Sequence, residues 1–326
     1  MIRIDNIELK GKVLLAPMSG VTDFPFRKLV KKFGAPMVIS EMIASRAMII
    51  KTRDSLKKCQ KDQTQFPMAV QLAGCDPQVM AEAAKLNEEL GADIIDINFG
   101  CPVKKVVNGF AGSALMKNEK LAGEIMEKTV RAVKIPVTVK MRLGWDSENL
   151  NAPQLAKIAQ DVGVKMITIH GRTRCQMYNG SANWAQIREV KNAVSIPVIA
   201  NGDIKNAADA KTALELSGAD GVMIGRGCYG KPWLIAQINQ ELNKETISAT
   251  PNLADQKQIM LDHFEEMINH YGQEVAVPLA RKHIGWYSSG LKDSAEFRAK
   301  INSLKDVNEI KETIERFYNI QSELIN

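Results

Sequence analysis

PMAVQLAGCDPQVMAEAAKLNEELGADIIDIN, residues 67–98, contains one complete strand–helix–strand repeat. PMAVQL (67–72) and DIIDIN (93–98) are continuous apolar runs rather than alternating ones, which is typical of strands buried on both faces of a parallel sheet. Residues 76–92 between them have helical character, and Gly91 is expected to end that helix. The stretch therefore predicts a βαβ unit.

The same alternation recurs along residues 1 to about 235. The further strand candidates are VLLAPMS (13–19), MVISE (37–41), PVTVKMR (136–142), MITIH (166–170), PVIANGD (197–203) and GVMIG (221–225). Eight repeats predict an α/β fold, a (β/α)8 TIM barrel followed by a small all-helical C-terminal domain. We expect the domains to cover residues 1–240 and 241–326. A doubly wound open sheet is the alternative, although it does not require eight near-regular units.

Composition and charge set broad limits. The 326 residues are 45% hydrophobic and 25% charged, as in ordinary globular proteins. The five cysteines form no CxxC pair, which argues against a disulfide framework or a zinc knuckle and fits a reducing cytoplasm. No signal peptide or membrane span is evident, so a cytoplasmic protein without membrane contact is expected.

Charge is unevenly distributed along the chain. From residue 241 onward, 10 Lys and Arg oppose 14 Asp and Glu, so the other 33 basic and 23 acidic side chains give residues 1–240 a balance of +10. This favours a polyanionic partner such as nucleic acid or a phosphate-bearing ligand, and a solubilising surface explains it equally well.

Polar side chains stand at the ends of the predicted strands, where barrel enzymes place their chemistry. They are Ser19, Glu41, Gln71, Asn98, Cys101, Lys140, Arg142, His170, Asn201, Asp203 and Arg226, with the apolar Met18 next to Ser19. Because the carboxyl ends of the strands of a barrel meet at one mouth, we expect these side chains to converge. GRGCYGKPW (225–233) matches GxGxxG, but no strong strand follows it, so a Rossmann unit is rejected. Together with NGDI (201–204), it predicts a phosphate site after the seventh and eighth strands.

Two of these residues, Lys140 and Gln71, have side chains that suggest a ligand in the mouth of the barrel. Lys140, if buried, needs an anion, and a reduced flavin with negative charge near N1 and O2 is such a partner. Gln71 could bridge polar edges of the same ring. From these residues alone, Lys140 reaching solvent and Gln71 bonding a loop are the simpler alternatives. The four histidines form no close pair, so no metal site is expected.

Seven motifs together resemble the signature series of the tRNA-dihydrouridine synthases. They are APMSGVTD (16–23), QLAG (71–74), DINFGCP (96–102), VKMR (139–142), HGRTR (170–174), NGDI (201–204) and GRG (225–227), and the likeness continues in ARKHIGWY (280–287). Likeness to the bacterial branch implies bound FMN, NADPH as the reductant with NADH as an alternative, and tRNA as the partner. Ser19 replaces the alanine often found in this family's APMAG motif, which is a small change.

The resemblance also implies roles for individual residues. Cofactor contacts are expected from Pro17, Met18, Ser19, Gln71, Lys140, His170, Asn201, Gly202, Asp203, Gly225 and Arg226. Cys101 would protonate C5 of a uracil ring after a hydride from the flavin has reached C6, since an ordinary thiol, with a pKa of about 8.5, is protonated at neutral pH. Substrate contacts are expected from Asn98, Arg142, Arg172, Arg174, Tyr178, Arg281 and Lys282, with Lys104, Lys105 and His283 as further candidates.

Some points remain open from the sequence. Tyr178 either stacks on a base or packs under its loop, and Cys175 has no assigned role. Cys59, Cys75 and Cys228 are expected to be buried packing residues. The protein is expected to be a monomer. The rival functions are an FMN barrel acting on a free pyrimidine, like the dihydroorotate dehydrogenases, and a non-catalytic RNA-binding barrel.

Overall fold

A computed structural model describes residues 1–324, so residues 325 and 326 of the predicted C-terminal domain lie outside it. Each of the eight predicted apolar runs contains a strand. The strands of the described chain are β1 (Ile2–Ile4), β2 (Ile7–Leu9), β3 (Val13–Leu15), β4 (Val38–Ile39), β5 (Ile43–Ala44), β6 (Met68–Ala73), β7 (Ile94–Phe99), β8 (Val137–Arg142), β9 (Met166–His170), β10 (Val198–Asn201) and β11 (Gly221–Ile224).

Eight of these strands form a parallel, nearly closed barrel. Their order is β3-β11-β10-β9-β8-β7-β6-β4, and β5 also pairs with β6. The Leu15 N–H donates to the Met37 carbonyl at 3.4 Å, which brings β3, at one end of this order, beside β4 at the other end. The predicted TIM-barrel fold is therefore confirmed.

Helices follow the strands, and all but the short α5, which has no buried residue, pack on the outside of the barrel. They are α1 (Phe24–Lys32), α2 (Ser45–Ile49), α3 (Arg53–Cys59), α4 (Pro77–Glu89), α5 (Lys104–Val107), α6 (Glu119–Ala132), α7 (Ala152–Asp161), α8 (Trp184–Ala193), α9 (Ala207–Ser217) and α10 (Leu234–Leu242). The α4 helix begins as its sequence predicts, because Asp76 accepts hydrogen bonds from the N–H groups of Gln78 and Val79. It stops before Gly91, whose φ of +92° suits glycine.

A short antiparallel hairpin, β1–β2, packs against the barrel at the amino-terminal ends of its strands. Its four inward apolar side chains join a cluster with residues of most barrel strands, including Met166 and Met223. A Cβ on Gly221 would lie 2.6 Å from Ile2 Cδ1 and also 2.6 Å from the Lys12 carbonyl oxygen, so the backbone just before β3 requires glycine there. The hairpin therefore covers the end of the barrel opposite the strand-end side chains.

Four further helices follow α10. They are α11 (Leu253–Tyr271), α12 (Gln273–Tyr287), α13 (Ser294–Ser303) and α14 (Val307–Glu323), and they share an apolar cluster of their own. The predicted boundary at residue 240 falls inside α10, and the division into two domains stays a prediction. Among residues 1–324, no helix is both long and apolar enough to cross a membrane.

The contact between α1 and the C-terminal helices contains two buried histidines. The rings of His263 and His283 lie 4.8 Å apart, and both rings contact Phe26. Burial lowers the pKa of His263 to about 3 and that of His283 well below its usual value. His283 is therefore a neutral packing residue, which corrects the expectation that it contacts RNA.

Candidate active site

The carboxyl ends of the barrel strands open into a cavity of about 1100 Å³. Its wall includes every residue predicted to contact the cofactor, together with Asn98, Cys101, Arg142 and Tyr178 of the other predicted sets. Of the polar strand-end residues, Glu41 alone is not part of the wall, and it accepts a hydrogen bond from Gly20 N–H at 2.5 Å. The structure thus brings the predicted strand-end groups together, while their individual roles stay predictions.

The loop after β7 carries Cys101, which lines this cavity. The N–H groups of Gly100 and Cys101 donate to Asn98 Oδ1 at 3.1 and 2.9 Å. The Cys101 carbonyl accepts from Ser113 N–H at 3.1 Å and from Ser113 Oγ at 2.8 Å. Gly112, with φ +60°, lets this backbone approach, since a Cβ there would lie 2.9 Å from the Cys101 carbonyl. The backbone is therefore fixed on both sides of the thiol.

A chain of side-chain hydrogen bonds runs from this loop across three strands. Asn98 Nδ2 donates to Gln71 Oε1 at 2.8 Å, and Gln71 Nε2 donates to Asp96 Oδ2 at 2.7 Å. The Thr138 hydroxyl donates to Asp96 Oδ1 at 2.6 Å. Burial raises the pKa of Asp96, against these two hydrogen bonds and the nearby Lys140 ammonium, which lower it. The amides predicted to touch flavin or uracil are thus also bonded within the protein.

Lys140 lies beside Asn98 in the β7–β8 register and lines the cavity. Among residues 1–324, its Nζ makes no hydrogen bond or ion pair. Burial, with a smaller effect of the Arg142 charge, lowers the pKa of Lys140 to about 8, and the nearby Asp96 opposes the shift. A partly desolvated ammonium of this kind is stabilised by an anionic ligand in the cavity.

His170, at the end of β9, is held neutral. Burial and the nearby cations Lys140, Arg142, Arg172 and Arg226 lower its pKa to about 2. Arg172 Nη1 lies 3.3 Å from His170 Nε2. Because a guanidinium can only donate, Nε2 is the acceptor and the ring proton sits on Nδ1.

The loop after β10 forms one end of the cavity. Asp203, in the left-handed region at φ +57°, accepts from Arg172 Nη1 at 3.0 Å and from Nη2 at 2.5 Å, and also from Ala182 N–H at 2.8 Å. Gly202 has φ +116°, and a Cβ there would lie 2.8 Å from Ala182 Cβ. Arg226 is exposed and lies 3.7 Å from the Asp203 carboxylate, so its guanidinium is open to a ligand such as phosphate.

Two arginines expected to hold RNA phosphates are buried instead. Arg142, 1% exposed, donates to the carbonyls of Gly100, Thr173 and Met177 at 2.8, 2.9 and 2.8 Å. Arg172, 2% exposed, lies outside the cavity wall and is bonded to Asp203. Both guanidinium groups hold loops in place, which corrects the expectation of phosphate contacts at the surface. A contact of Arg142 with a ligand inside the cavity stays a prediction.

Aromatic and basic side chains form the rim of the mouth. Tyr178 is 50% exposed, with the guanidinium carbons of Arg142 and Arg226 at 5.6 and 5.1 Å from its ring. It therefore lines the cavity rather than packing under its loop. Nearby, the Trp145 ring has Lys117 Nζ at 4.8 Å and the Arg174 guanidinium at 4.7 Å. Lys104 and Lys105, on α5 after the Cys101 loop, are exposed.

The predicted contacts on α12 lie away from the cavity wall. Arg281 is partly buried and donates to the Leu304 carbonyl at 2.8 Å. Lys282 reaches the loop after β3, since a Cβ on Gly20 would lie 3.0 Å from its Nζ. Their contacts with RNA stay predictions.

Several residues that sequence reasoning missed also belong to the site. Tyr229 and Trp286 both line the cavity and stack with ring centroids 3.9 Å apart. Lys205 and Lys231 add two cations to the same wall. The aromatic pair lies in GRGCYGKPW and ARKHIGWY, two stretches far apart along the chain, and nothing in the sequence indicates that the two rings meet.

The cysteines differ in exposure. Cys59 and Cys228 are buried as predicted, whereas Cys75 is only partly buried, because it lies in the loop between β6 and α4. Cys175 is exposed. Within residues 1–324, no group of three or more His, Cys, Asp or Glu side chains is arranged to hold a metal ion.

The parallel barrel, the ammonium in its mouth and the glycine loops at one end define a cofactor-binding barrel enzyme. Residues 14–323 match the family described as Dihydrouridine synthase (Dus). A "Probable tRNA-dihydrouridine synthase" of Rickettsia conorii is 61% identical over 319 residues, which cover 98% of this chain and 96% of that protein. The "tRNA-dihydrouridine synthase B" of Pseudomonas aeruginosa is 44% identical over 319 residues, again 98% and 96%.

The chain therefore belongs to the dihydrouridine synthase family, and the resemblance seen in its motifs is confirmed. It is an enzyme of the flavin-dependent oxidoreductases that act on CH–CH bonds. Among solved structures, histamine dehydrogenase from Rhizobium sp. 4-9 aligns with 81% of this chain at a TM-score of 0.57 and 12% identity. This chain spans 50% of the length of that protein, and the likeness supports the barrel fold alone.

Proposed function

We propose that this enzyme reduces the C5=C6 bond of specific uridines in tRNA to 5,6-dihydrouridine, with bound FMN, with NADPH as the reductant and with Cys101 as the proton donor. The names of the relatives support tRNA as the substrate. The observation that carries the proposal is the Cys101 thiol, held by a doubly anchored loop in the same cavity as the Lys140 ammonium.

The cavity wall fits a flavin mononucleotide. Lys140 offers a desolvated positive charge, and the Arg226 guanidinium is available for a phosphate. Gly225, beside Arg226, has no side chain. A Cβ at this position would lie 3.3 Å from Met18 Sδ, another atom of the cavity wall. Lys140 would hold the ring and Arg226 the phosphate. When bound, FMN supplies the hydride for the reduction.

Cys101 is the proton donor that best fits the titratable groups of the cavity. His170 is neutral down to a pH of about 2, so it is no acid near neutrality. Lys140 carries a proton at pH 7, but giving up that proton would remove the positive charge that stabilises the bound anion. The Cys101 thiol is not required to stabilise a bound anion. Hydrogen bonds to Asn98 and Ser113 fix the Cys101 backbone beside the site. It would deliver its proton to C5 of the reduced uracil ring.

The rim provides the contacts that RNA needs. A uridine in folded tRNA must be swung out of its stack to reach the cavity. Tyr178 at the mouth presents a half-exposed ring for stacking, while Lys104, Lys105 and the cations around Trp145 would hold phosphates. Residues 241–326 carry more acidic than basic side chains, so their contact with RNA would be local, with Lys282 as the candidate. An enzyme of this kind would act as a cytoplasmic monomer.

A half-reaction experiment tests this function. The purified enzyme is reduced with NADPH without oxygen and then mixed with an unmodified tRNA transcript, free uridine or orotate. We expect tRNA to reoxidise the flavin and to gain dihydrouridine, detected by mass spectrometry. Reoxidation by orotate but not by tRNA would favour a dihydroorotate dehydrogenase-like function, and a colourless protein would refute the flavin assignment.

A further inference from the structure

Asp96 is a buried carboxylate to which the reaction gives no role. It lies on β7, two residues before Asn98, and it is not part of the cavity wall. Burying a carboxylate is costly unless its oxygens accept hydrogen bonds. Both oxygens do so, from the Thr138 hydroxyl and from Gln71 Nε2. Asp96 therefore sits beneath the cavity, bonded to residues that reach into it.

The directions of these hydrogen bonds are linked. An ionised carboxylate only accepts, so Gln71 must turn its NH2 group toward Asp96 and its oxygen toward Asn98. Asn98 must then turn its own NH2 group toward Gln71. Its oxygen is left facing the loop, where it accepts the N–H groups of Gly100 and Cys101. A reversed amide at either position would place donor against donor.

We propose that Asp96 is a positioning residue, which sets the orientation of the Gln71 and Asn98 amides and thereby holds the loop that carries Cys101. The inference rests on the proposed function in one respect, that Cys101 is the proton donor. Register explains why this residue can do so: Asp96 lies opposite Gln71 on β6 and opposite Thr138 on β8. The three side chains consequently meet between adjacent strands.

Variants of Asp96 distinguish its effect on the directions of the Gln71 and Asn98 amides from the effect of removing a buried carboxylate. In Asp96→Leu, Gln71 Nε2 loses its acceptor, so the directions of both amides are held from the loop side alone, by the N–H groups of Gly100 and Cys101. Asp96→Asn keeps an acceptor toward Gln71, because its NH2 group can face the Thr138 hydroxyl, which accepts as well as donates. Thr138→Val removes only the outer contact and serves as the matched control. We expect Asp96→Asn and Thr138→Val to preserve the loop.

The readout is the rate at which iodoacetamide alkylates Cys101, measured by peptide mass spectrometry on the holoenzyme. The exposed Cys175 provides an internal reference in the same sample. We expect Asp96→Leu to accelerate Cys101 labelling about fivefold, the effect of losing one ordinary hydrogen bond, and the other two variants to stay within about twofold of the parent. A rate in Asp96→Leu equal to or below that of the parent would overturn the proposal.

Half-reactions provide a second readout. Reoxidation of the reduced flavin by tRNA, the half-reaction that uses Cys101, should slow in Asp96→Leu and recover in Asp96→Asn. If the parent is not reoxidised by tRNA, the proposed function fails, while the labelling rates still decide the role of Asp96. Should Asp96→Leu not fold, Gln71→Met breaks the same chain one link closer to the loop, and unchanged labelling there would equally overturn the proposal.

Discussion

His263 makes the stability of the fold depend on pH. Its ring is buried between Phe26, His283 and Tyr287, and its Nε2 has no hydrogen-bond partner among residues 1–324. The perturbation we consider is His263→Leu, which removes the titrating ring and leaves an apolar side chain of similar size. The quantity of interest is how the stability difference between variant and parent changes with pH.

The magnitude follows from the two pKa values of this ring. An unfolded histidine titrates near 6.5, whereas His263 in the folded chain titrates near 3 because of its burial. Its contribution to stability is therefore complete above pH 6.5 and is lost as the pH falls toward 3, since only the unfolded chain then takes up the proton. At pH 5, the loss amounts to about 2 kcal/mol for this one side chain.

Urea denaturation at pH 7, 6 and 5 measures the effect, with tryptophan fluorescence as the signal. His263→Leu changes the free energy of unfolding by some amount at pH 7. Between pH 7 and pH 5, we expect the free energy of unfolding of the variant to rise by about 2 kcal/mol relative to that of the parent. Asp23 has its pKa raised to about 6 by burial and so titrates in the opposite sense. It is present in both proteins, so its contribution cancels in the difference.

Phe26→Leu is the matched control, because Phe26 contacts the same histidine pair but does not titrate. Its stability cost should be the same at pH 7 and pH 5. A stability difference between His263→Leu and the parent that also stayed constant over this range would refute the conclusion that His263 is neutral in the folded protein.

Three further outcomes are expected at the active site. Cys101→Ala should keep the yellow colour but lose dihydrouridine formation by about 100-fold or more, measured by mass spectrometry of tRNA, because its proton donor is gone. Lys140→Met should retain less FMN after dialysis, measured by absorbance, because the cavity loses its desolvated cation. Trp145→Ala should weaken tRNA binding severalfold and flatten its salt dependence in filter assays, because Lys117 and Arg174 lose the ring that orders them.

Each of these has a control and an opposing result. Cys175→Ala should keep full activity, and parent-like turnover in Cys101→Ala would show that another group donates the proton. Lys140→Arg retains a cation and should hold more FMN than Lys140→Met; equal FMN content in Lys140→Met and the parent would exclude the cation as the anchor. Trp145→Phe should bind tRNA nearly as the parent does, and undiminished affinity in Trp145→Ala would remove this ring from the RNA contact.

The barrel could be predicted because buried parallel strands leave continuous apolar runs. The runs do not mark where each strand stops. PVIANGD (197–203) yields a strand only over Val198–Asn201, since Gly202 and Asp203 adopt positive φ angles and leave the sheet. The β1–β2 hairpin was not predicted, because its strands IRI and IEL alternate apolar and charged residues and so lack the continuous apolar runs of the barrel strands.

The cavity could be predicted from residue types at strand ends, because the fold alone brings those ends together. The hydrogen-bond partners of each side chain could not be predicted. Arg142 is bonded to carbonyl groups of two loops distant from it in sequence, and its burial depends on how those loops fold. Asp96 shows the same limit, since its contact with Thr138 depends on the register of β7 and β8.

The β1–β2 hairpin also affects how the chain matures on the ribosome. Ile2 is buried against Gly221, and the cluster that holds the hairpin includes Met223. At typical elongation rates, about 10 to 40 s separate synthesis of the hairpin from that of its last partners. During that interval its isoleucines remain without their final contacts, so a nascent chain of this enzyme should attract chaperones through this hairpin and release them only once the eighth barrel strand has emerged.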